Sequence, residues 1–522
     1  MVVATAVFCF FVGRFYIPGQ GFTALICFGD AYEERRLPEI TRDIVYVVPQ
    51  STGYDAQWYA QVAVRPDLRS PEVAASVDNL PYRARRILFP IAAHLLGGGV
   101  PDRVLGAYAL QNVVSWFLLG LVLLHWLPPR DWGNTLRWLA ILFSFGLAFS
   151  VRNALVDGPA LLLLACGMLL LEKGRDWWAA LLLGLAGLGK ETTILAGAAL
   201  VRGPLRTIAD WRRLLLCLGL VVLPLALWLV YLTHLFGLGS GEIGARNFAP
   251  PFVEFWHKIA GSLGSLDQFP SSLIDEFENL CLVISLAVQV LFFALRPRWQ
   301  QPWWRIGAVF SVLVAVLGEA VWEGYPAAIA RVVLPLTLAF NLTLPRGPRW
   351  WPVFVLGNLT LLCAPTFTRL PLGIERSAIE APKALLASAT TAQRIEVRYV
   401  GPWHLAEHSV FESWHWTNGS VELEVVNPHS FPLEADLTFG LNSRDHRTVA
   451  VRFGEATLWS GPSDPVRRDV AIRRIRLLPG TNRIGFLSDT PPVPPTMKRD
   501  TRPLAFRIYD LKLRIGNAAP AS

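Results

Sequence analysis

Most apolar runs fall within residues 87–365, after an apolar start at 1–16, and a period of two takes over from about residue 394. A membrane span needs roughly 20 apolar residues, and shorter helices occur where protein surrounds them. The pattern predicts segments near 1–16, 104–127, 136–151, 157–171, 178–188, 191–201, 214–236, 279–295, 305–321, 329–344 and 350–364. The pair 178–188 and 191–201 is too short for two crossings and reads as two half-length helices meeting at "GLGKET". Basic residues gather in the short loops 128–137, 172–176, 202–213, 296–305 and 345–351, all on one side if the segments alternate. That side is expected to be the cytoplasm. About 11 segments then put the N-terminus inside. They put loop 17–103, loop 237–278, the turns at Asp157 and Lys190, "EGYPAAIARV" and the C-terminal region outside. The apolar start is followed by no small-residue cleavage site and reads as an anchor, short enough that a few residues are expected to precede it.

From residue 394 the stretches "RIEVRYV", "SVELEVVN", "EADLTFGL", "TVAVRFG" and "LAFRIYDLKLRIG" are separated by turn residues such as "NPHSFP" and "LPGTN". Short strands at this spacing predict an antiparallel, jelly-roll-like β-sandwich. The expected organisation is a polytopic α-helical membrane domain over 1–370, a linker rich in Ala, Ser and Thr over 371–393, and an extracytoplasmic all-β domain over 394–522.

Composition agrees with a membrane protein: 53% of the 522 residues are hydrophobic and 17% charged, against about 25% charged in soluble domains. Twenty Trp, many beside the basic loops, suit interfacial belts. The net charge of +8 sits in those loops, so orientation explains it and nucleic-acid binding is not expected. Six scattered cysteines without a CxxC read as small core residues. His404, Glu407, His408 and His415 lie across strands and loops, and their spacing makes a weak case for metal. No P-loop, GxSxG, HExxH or GxGxxG motif stands in a fitting context.

A few charged residues do not fit solvated loops. Asp55 lies in "STGYDAQWYAQVAV" at the start of an amphipathic segment. It reads as a helix cap or as a base for a hydroxyl nucleophile. Tyr54, Trp58 and Tyr59 are expected to seat that helix at the interface, with Gln57 and Gln61 facing a substrate. Arg83, Arg85 and Arg86 precede an apolar helix on the outer side, against the positive-inside tendency. They read as snorkelling side chains or a phosphate site, with Asp78 a cap or an ion-pair partner. Asp157 opens a span in "DGPALLLL", where a turn and helix start is the plainer reading. Lys190 and Glu191 sit between two half-helices, as an ion pair or as groups for an anionic headgroup. Arg331 opens a late span, with Glu319 and Glu323 nearby. Five separate stretches thus place charge at one predicted face, which suits chemistry on a phospholipid-linked substrate.

"GYDAQWYAQVA" resembles the first-loop motif of the GT-C superfamily of integral-membrane glycosyltransferases, with Tyr54 where that motif carries Trp. "DGPALLLL", "LLGLAGLGKETTILAG" and "IARVVLPLTLA" look like further segments of bacterial members. The resemblance covers residues 1–365 in layout through short motifs. It implies a multi-pass protein of a bacterial-type cytoplasmic membrane, hexosyl- or mannosyltransferase-like, using a polyprenyl-phosphate sugar as co-substrate. The acceptor would be a glycan, lipid or protein hydroxyl on the extracytoplasmic face. By analogy Asp55 is the general base of an inverting attack. Arg83, Arg85, Arg86, Lys190 and Arg331 would hold the donor phosphate. Gln57, Tyr59, Asp157 and Glu191 would contact sugar or acceptor or supply a second acid. A divalent metal is compatible with this scheme, without assigned ligands. The β-domain resembles carbohydrate-binding modules, with Trp403, Trp414, Trp416 and Trp459 either stacking on sugars or packing the core. Two rivals stay open: a transporter or flippase of lipid-linked saccharides, and a non-catalytic glycan-binding assembly protein. A transporter would be expected to show matched repeats with broken helices, and no second copy of the short helix pair occurs.

Overall fold

A computed structural model of the chain describes residues 1–48, 51–201, 203, 206–237, 247–264, 273–322, 328–368, 395–404, 407–408, 413–493 and 502–518. The linker 371–393, parts of loop 237–278, and Glu323 lie outside the described residues. The chain divides into two units: Met1–Ile26, Glu34–Ile44 and Tyr54–Arg369 form one, and Cys27–Glu33, Val45–Gly53 and Leu370–Ser522 the other.

The first unit is helical. Among the described residues, Pro101–Leu123, Ile208–Phe236 and Phe277–Leu295 are each long and apolar enough to cross a membrane. Trp132–Leu142 and Phe145–Arg152 add a fourth span if that pair, bent by 47° at its break, counts as one. The other apolar helices, including Val2–Gly13, Asp176–Gly189, Pro302–Val316 and Leu334–Thr343, are shorter. The predicted count of about eleven is therefore not reached by length and composition. Ile208–Phe236 begins with a capping box in which Thr207 and Asp210 satisfy each other's orphan backbone N–H. It leaves Leu215, Leu216, Leu223 and Leu227 exposed, as a lipid-facing helix does.

The helices run between two charged ends. Asp157–Glu172 is 16 residues long, which makes it about 24 Å from end to end. At its far end Glu172 accepts from Trp126 Nε1 (2.8 Å) and Trp303 Nε1 (3.1 Å). Close to it in sequence, Asp176 pairs with Arg213. Arg137 donates to the carbonyls of Asn341 (2.9 Å), Leu344 (2.6 Å) and Pro345 (2.9 Å), and Arg305 to those of Ala198 (3.0 Å) and Ala199 (2.8 Å). These bonds tie together the basic loops that the sequence pattern assigns to one side. Trp132, Trp177, Trp178, Trp211, Trp299 and Trp351, all beside those loops, are exposed.

The second unit holds two five-stranded antiparallel sheets and a short parallel pair, β1 (Phe28–Gly29) with β2 (Val47–Val48). The strands are β3 (Glu396–Val400), β4 (Glu407–His408), β5 (Ser413–Trp416), β6 (Val421–Asn427), β7 (Leu433–Ser443), β8 (Arg447–Phe453), β9 (Ala456–Ser463), β10 (Arg468–Leu477), β11 (Gly480–Ser488) and β12 (Phe506–Ala518). One sheet runs β10-β7-β12-β5-β4 and the other β3-β6-β11-β8-β9. Inward residues of both, among them Val421, Leu423, Leu437, Val451, Ile472, Phe486 and Ile508, share one core. The period of two slips once in β10 and once in β12. Val470 and Ile472 are buried, then Ile475 and Leu477; Phe506 and Ile508 are buried, then Leu511, Leu513 and Ile515. A bulge absorbs each slip, with Arg474 (φ 60°) and Asp510 (φ 43°) in left-handed conformations.

Of the two readings of the tryptophans, packing is the one the structure supports. Trp414 and Trp416 are buried, with Arg507 against both rings (5.5 and 4.6 Å). Trp403 and Trp459 pack against the sandwich core, and Trp403 Nε1 donates to the Glu422 carbonyl (3.0 Å). His415 is buried and His404 bonds the Pro503 carbonyl. Among the described residues no group of three or more His, Cys, Asp or Glu is placed to hold a metal ion.

Candidate functional site

The helix Ala56–Val64 is buried along its whole length. It does not lie on a membrane face, as its amphipathic pattern suggested. Gln61 is the reason most plainly visible: its Oε1 accepts from Leu37 N (2.9 Å) and its Nε2 donates to the Ser76 carbonyl (2.6 Å). Neighbouring segments of the first loop therefore wrap the helix. His94 Nδ1 bonds the Ala63 carbonyl (2.9 Å) from another side. The helix stops at Arg65, which is extended because Pro66 follows. Gln57 and Gln61 are 2% and 1% exposed, so neither is presented to a substrate, and Trp58 and Tyr59 are buried as well.

Asp55 occupies the N-cap position, yet its side chain makes no capping bond. Its Oδ1 accepts from Arg83 at 3.0 Å, and its carboxylate keeps 35% of its surface exposed. The second oxygen, Oδ2, has no hydrogen-bond partner among the described residues. Burial raises the Asp55 pKa, but the charges of Arg83, Arg331 and Arg86 outweigh it and hold the carboxyl below its ordinary value.

Arg83 is placed by its own local sequence. Asn79 caps Leu80–Arg83 by accepting from Tyr82 N (2.9 Å), with Pro81 in the first turn. That leaves Asp78 free, and it grips Arg83 through both oxygens, from Nε (2.9 Å) and from the same terminal nitrogen that reaches Asp55 (2.7 Å). Asp78 is thus the ion-pair partner, not the cap. Tyr82 forms an aromatic floor with Arg83, Arg85 and Arg86 at 5.6, 5.7 and 5.4 Å from its ring. Arg86 donates to Glu191 (2.9 Å) and to the Tyr59 hydroxyl (2.7 Å).

The other charges meet across the helices. Asp157 is buried between Lys190, which donates to its Oδ1, and Arg331, which reaches its Oδ2 at 3.5 Å. Lys190 and Glu191 do not pair with each other. Lys190 is extended and Glu191 begins a 3₁₀ turn, so the neighbours turn to different partners. Arg331 also donates to the Tyr54 hydroxyl (3.1 Å) and stacks on Tyr54 and Phe149 at 5.6 and 5.8 Å. Close backbone approach makes this possible. A Cβ at Gly146 would lie 2.3 Å from the Ala330 carbonyl oxygen, so only glycine lets the Phe145–Arg152 helix press against the segment bearing Arg331.

The predicted charged residues therefore form one cluster at the end of the helices opposite Glu172. Cations Arg83, Arg85, Arg86, Lys190 and Arg331 outnumber the carboxylates Asp55, Asp78, Asp157 and Glu191 by one. Arg85 is the cation without a carboxylate partner among the described residues. The sequence reading underestimated Tyr54, the hydroxyl that receives Arg331, and passed over Tyr82. The spacing of Tyr82 and Arg86, one helical turn apart, was the available signal.

Residues 94–321 match the model of glycosyltransferase family 87. The match contains Asp157, Lys190 and Glu191 and leaves Asp55, Arg83, Arg85, Arg86 and Arg331 outside it. A cryo-EM structure of arabinosyltransferase EmbB from Mycobacterium smegmatis aligns over 84% of this chain at 12% identity, with a TM-score of 0.26. The chain spans about 60% of the length of that protein's chain. No curated protein matches. The family 87 match over residues 94–321 bears out the GT-C resemblance read from the sequence.

Proposed function

We propose that the protein moves a sugar from a polyprenyl-phosphate-linked donor to an acceptor hydroxyl at the extracytoplasmic face, with inversion and with Asp55 as general base. The observation that carries this reading is the state of Asp55. It is a carboxylate kept ionised by neighbouring cations, with one oxygen uncommitted, at the edge of a cluster whose surplus charge sits on Arg85. The acceptor oxygen attacks the anomeric carbon while Asp55 Oδ2 takes its proton. The bond from that carbon to the phosphate oxygen breaks, and its electron pair leaves with the polyprenyl phosphate. Arg85 meets the charge that develops there. Arg83, clamped by Asp78, positions Asp55, and the Asp157, Lys190 and Arg331 group fixes the wall behind Tyr54.

The reaction is tested with purified protein, a radiolabelled polyprenyl-phosphate sugar and candidate glycan, lipid and protein acceptors. Label appearing in acceptor supports it. Donor translocation across vesicles without any transfer would favour the transporter reading instead. Arg85→Ala is expected to raise the donor KM about tenfold with a smaller effect on kcat, the loss of one charge-assisted phosphate contact. An unchanged KM would remove Arg85 from the donor site. Asp55 also sets the pH dependence. Its lowered pKa keeps the base ionised at neutral pH, and activity falls only as acid protonates it. Arg83→Gln removes the nearest cation, so the acid limb of the pH–rate profile should move to higher pH. An unmoved limb would assign that limb to another group.

A further inference from the structure

The opposite end of the helical unit carries an electropositive cavity of about 230 Å3, lined by Asp131, Arg137, Arg346, Trp350, Trp351 and Phe354. Its positive charges are only partly neutralised. Arg137 is spent on three backbone carbonyls, and Arg346 donates to the Asn134 side-chain oxygen (3.3 and 3.1 Å). Asp131, the carboxylate in the lining, caps Trp132–Leu142 by accepting from Asn134 N at 2.8 Å; its charge offsets one of the two lining arginines and leaves one positive charge in excess. Arg296 and Arg349 stack on Trp350 at 4.6 and 5.8 Å and add to the positive field. A second observation points to a ligand: the Trp350 Nε1–H is buried and has no acceptor among the described residues. A buried donor left unsatisfied costs about 1–3 kcal/mol, and an anionic oxygen in the cavity would relieve it.

We propose that this cavity binds the phosphate of an anionic lipid headgroup, received by Trp350 Nε1–H and the Arg346 guanidinium. Trp132 and Trp351, both exposed, flank the same end and suit the level of lipid headgroups. Clusters of Arg at such a level recognise anionic lipid, which favours a lipid source over a soluble phosphate. The site is distinct from the Asp55 cluster and does not depend on the transfer reaction.

The test is native mass spectrometry of the full chain released from detergent, titrated with phosphatidylglycerol or phosphatidylcholine. Wild type is expected to bind phosphatidylglycerol about tenfold more tightly, the worth of one charge-assisted contact. Arg346→Ala, an exposed position, should abolish that preference. Trp350→Phe keeps the ring and removes the donor, so it should weaken the preference several-fold while the protein stays folded. Equal binding of both lipids by wild type, or an undiminished preference in both variants, would overturn the proposal. Displacement of phosphatidylglycerol by millimolar inorganic phosphate would do the same and point to a soluble anion.

Discussion

Asp55→Asn should lower sugar transfer by about a hundredfold to ten-thousandfold, the usual worth of a positioned general base, while donor binding and thermal stability stay nearly unchanged. The geometry explains why stability is spared. Asn keeps an oxygen that accepts from Arg83, and Arg83 keeps both oxygens of Asp78, so no buried cation is stranded. It also explains why neighbouring carboxylates cannot substitute. Asp78 is engaged through both oxygens by Arg83, and Asp157 is held between Lys190 and Arg331. Glu191 is held by Arg86 and is less exposed than Asp55. Glu191→Gln retains an acceptor for Arg86 and serves as the comparison. The measurement is transfer of label under single-turnover conditions beside an equilibrium donor-binding assay. Wild-type activity in Asp55→Asn would end the general-base assignment, and loss of donor binding would make Asp55 a binding residue.

The charged residues of this cluster were legible in the sequence because charge in an apolar chain demands a reason. Their pairing was not. Asp157 and Lys190 lie 33 positions apart, and Asp157 and Arg331 174 apart, distances over which no helical or strand period speaks. The Ala56–Val64 helix shows a different limit. Apolar residues that face protein and apolar residues that face lipid have the same spacing, so the pattern alone could not tell a buried helix from an interfacial one. Gln57 and Gln61 then appeared free, whereas first-loop segments cover the helix and bond Gln61. In the second unit the strands announced themselves through alternation, as in the Val421, Leu423 and Val425 face of β6. The bulges at Arg474 and Asp510 did not, because each is a single residue in a conformation that its side chain does not favour.

Asp157→Asn should act in the opposite order to Asp55→Asn, losing stability first and activity as a consequence. The Asp157 carboxylate is 2% exposed and faces two cations, Lys190 at 8% and Arg331 at 13%. Removing one partner of a buried ion pair costs about 3–5 kcal/mol, because the remaining charge is left in a medium that solvates it poorly. Here one carboxylate serves two cations, so the loss falls at the upper part of that range. Lys190 can shed its proton to relieve the strain, but Arg331 cannot. The neutralising logic gives a second arm to the experiment. Asp157→Asn combined with Lys190→Met removes one stranded cation and should recover part of the lost stability, although Lys190→Met alone is destabilising. Thermal unfolding in detergent, followed by tryptophan fluorescence, reads both effects. A single variant as stable as wild type, or a double variant with the two losses simply added, would mean that Asp157 does not neutralise Lys190. Additive losses would point to independent sites, whereas coupling between two residues in contact is what a shared ion-pair network requires.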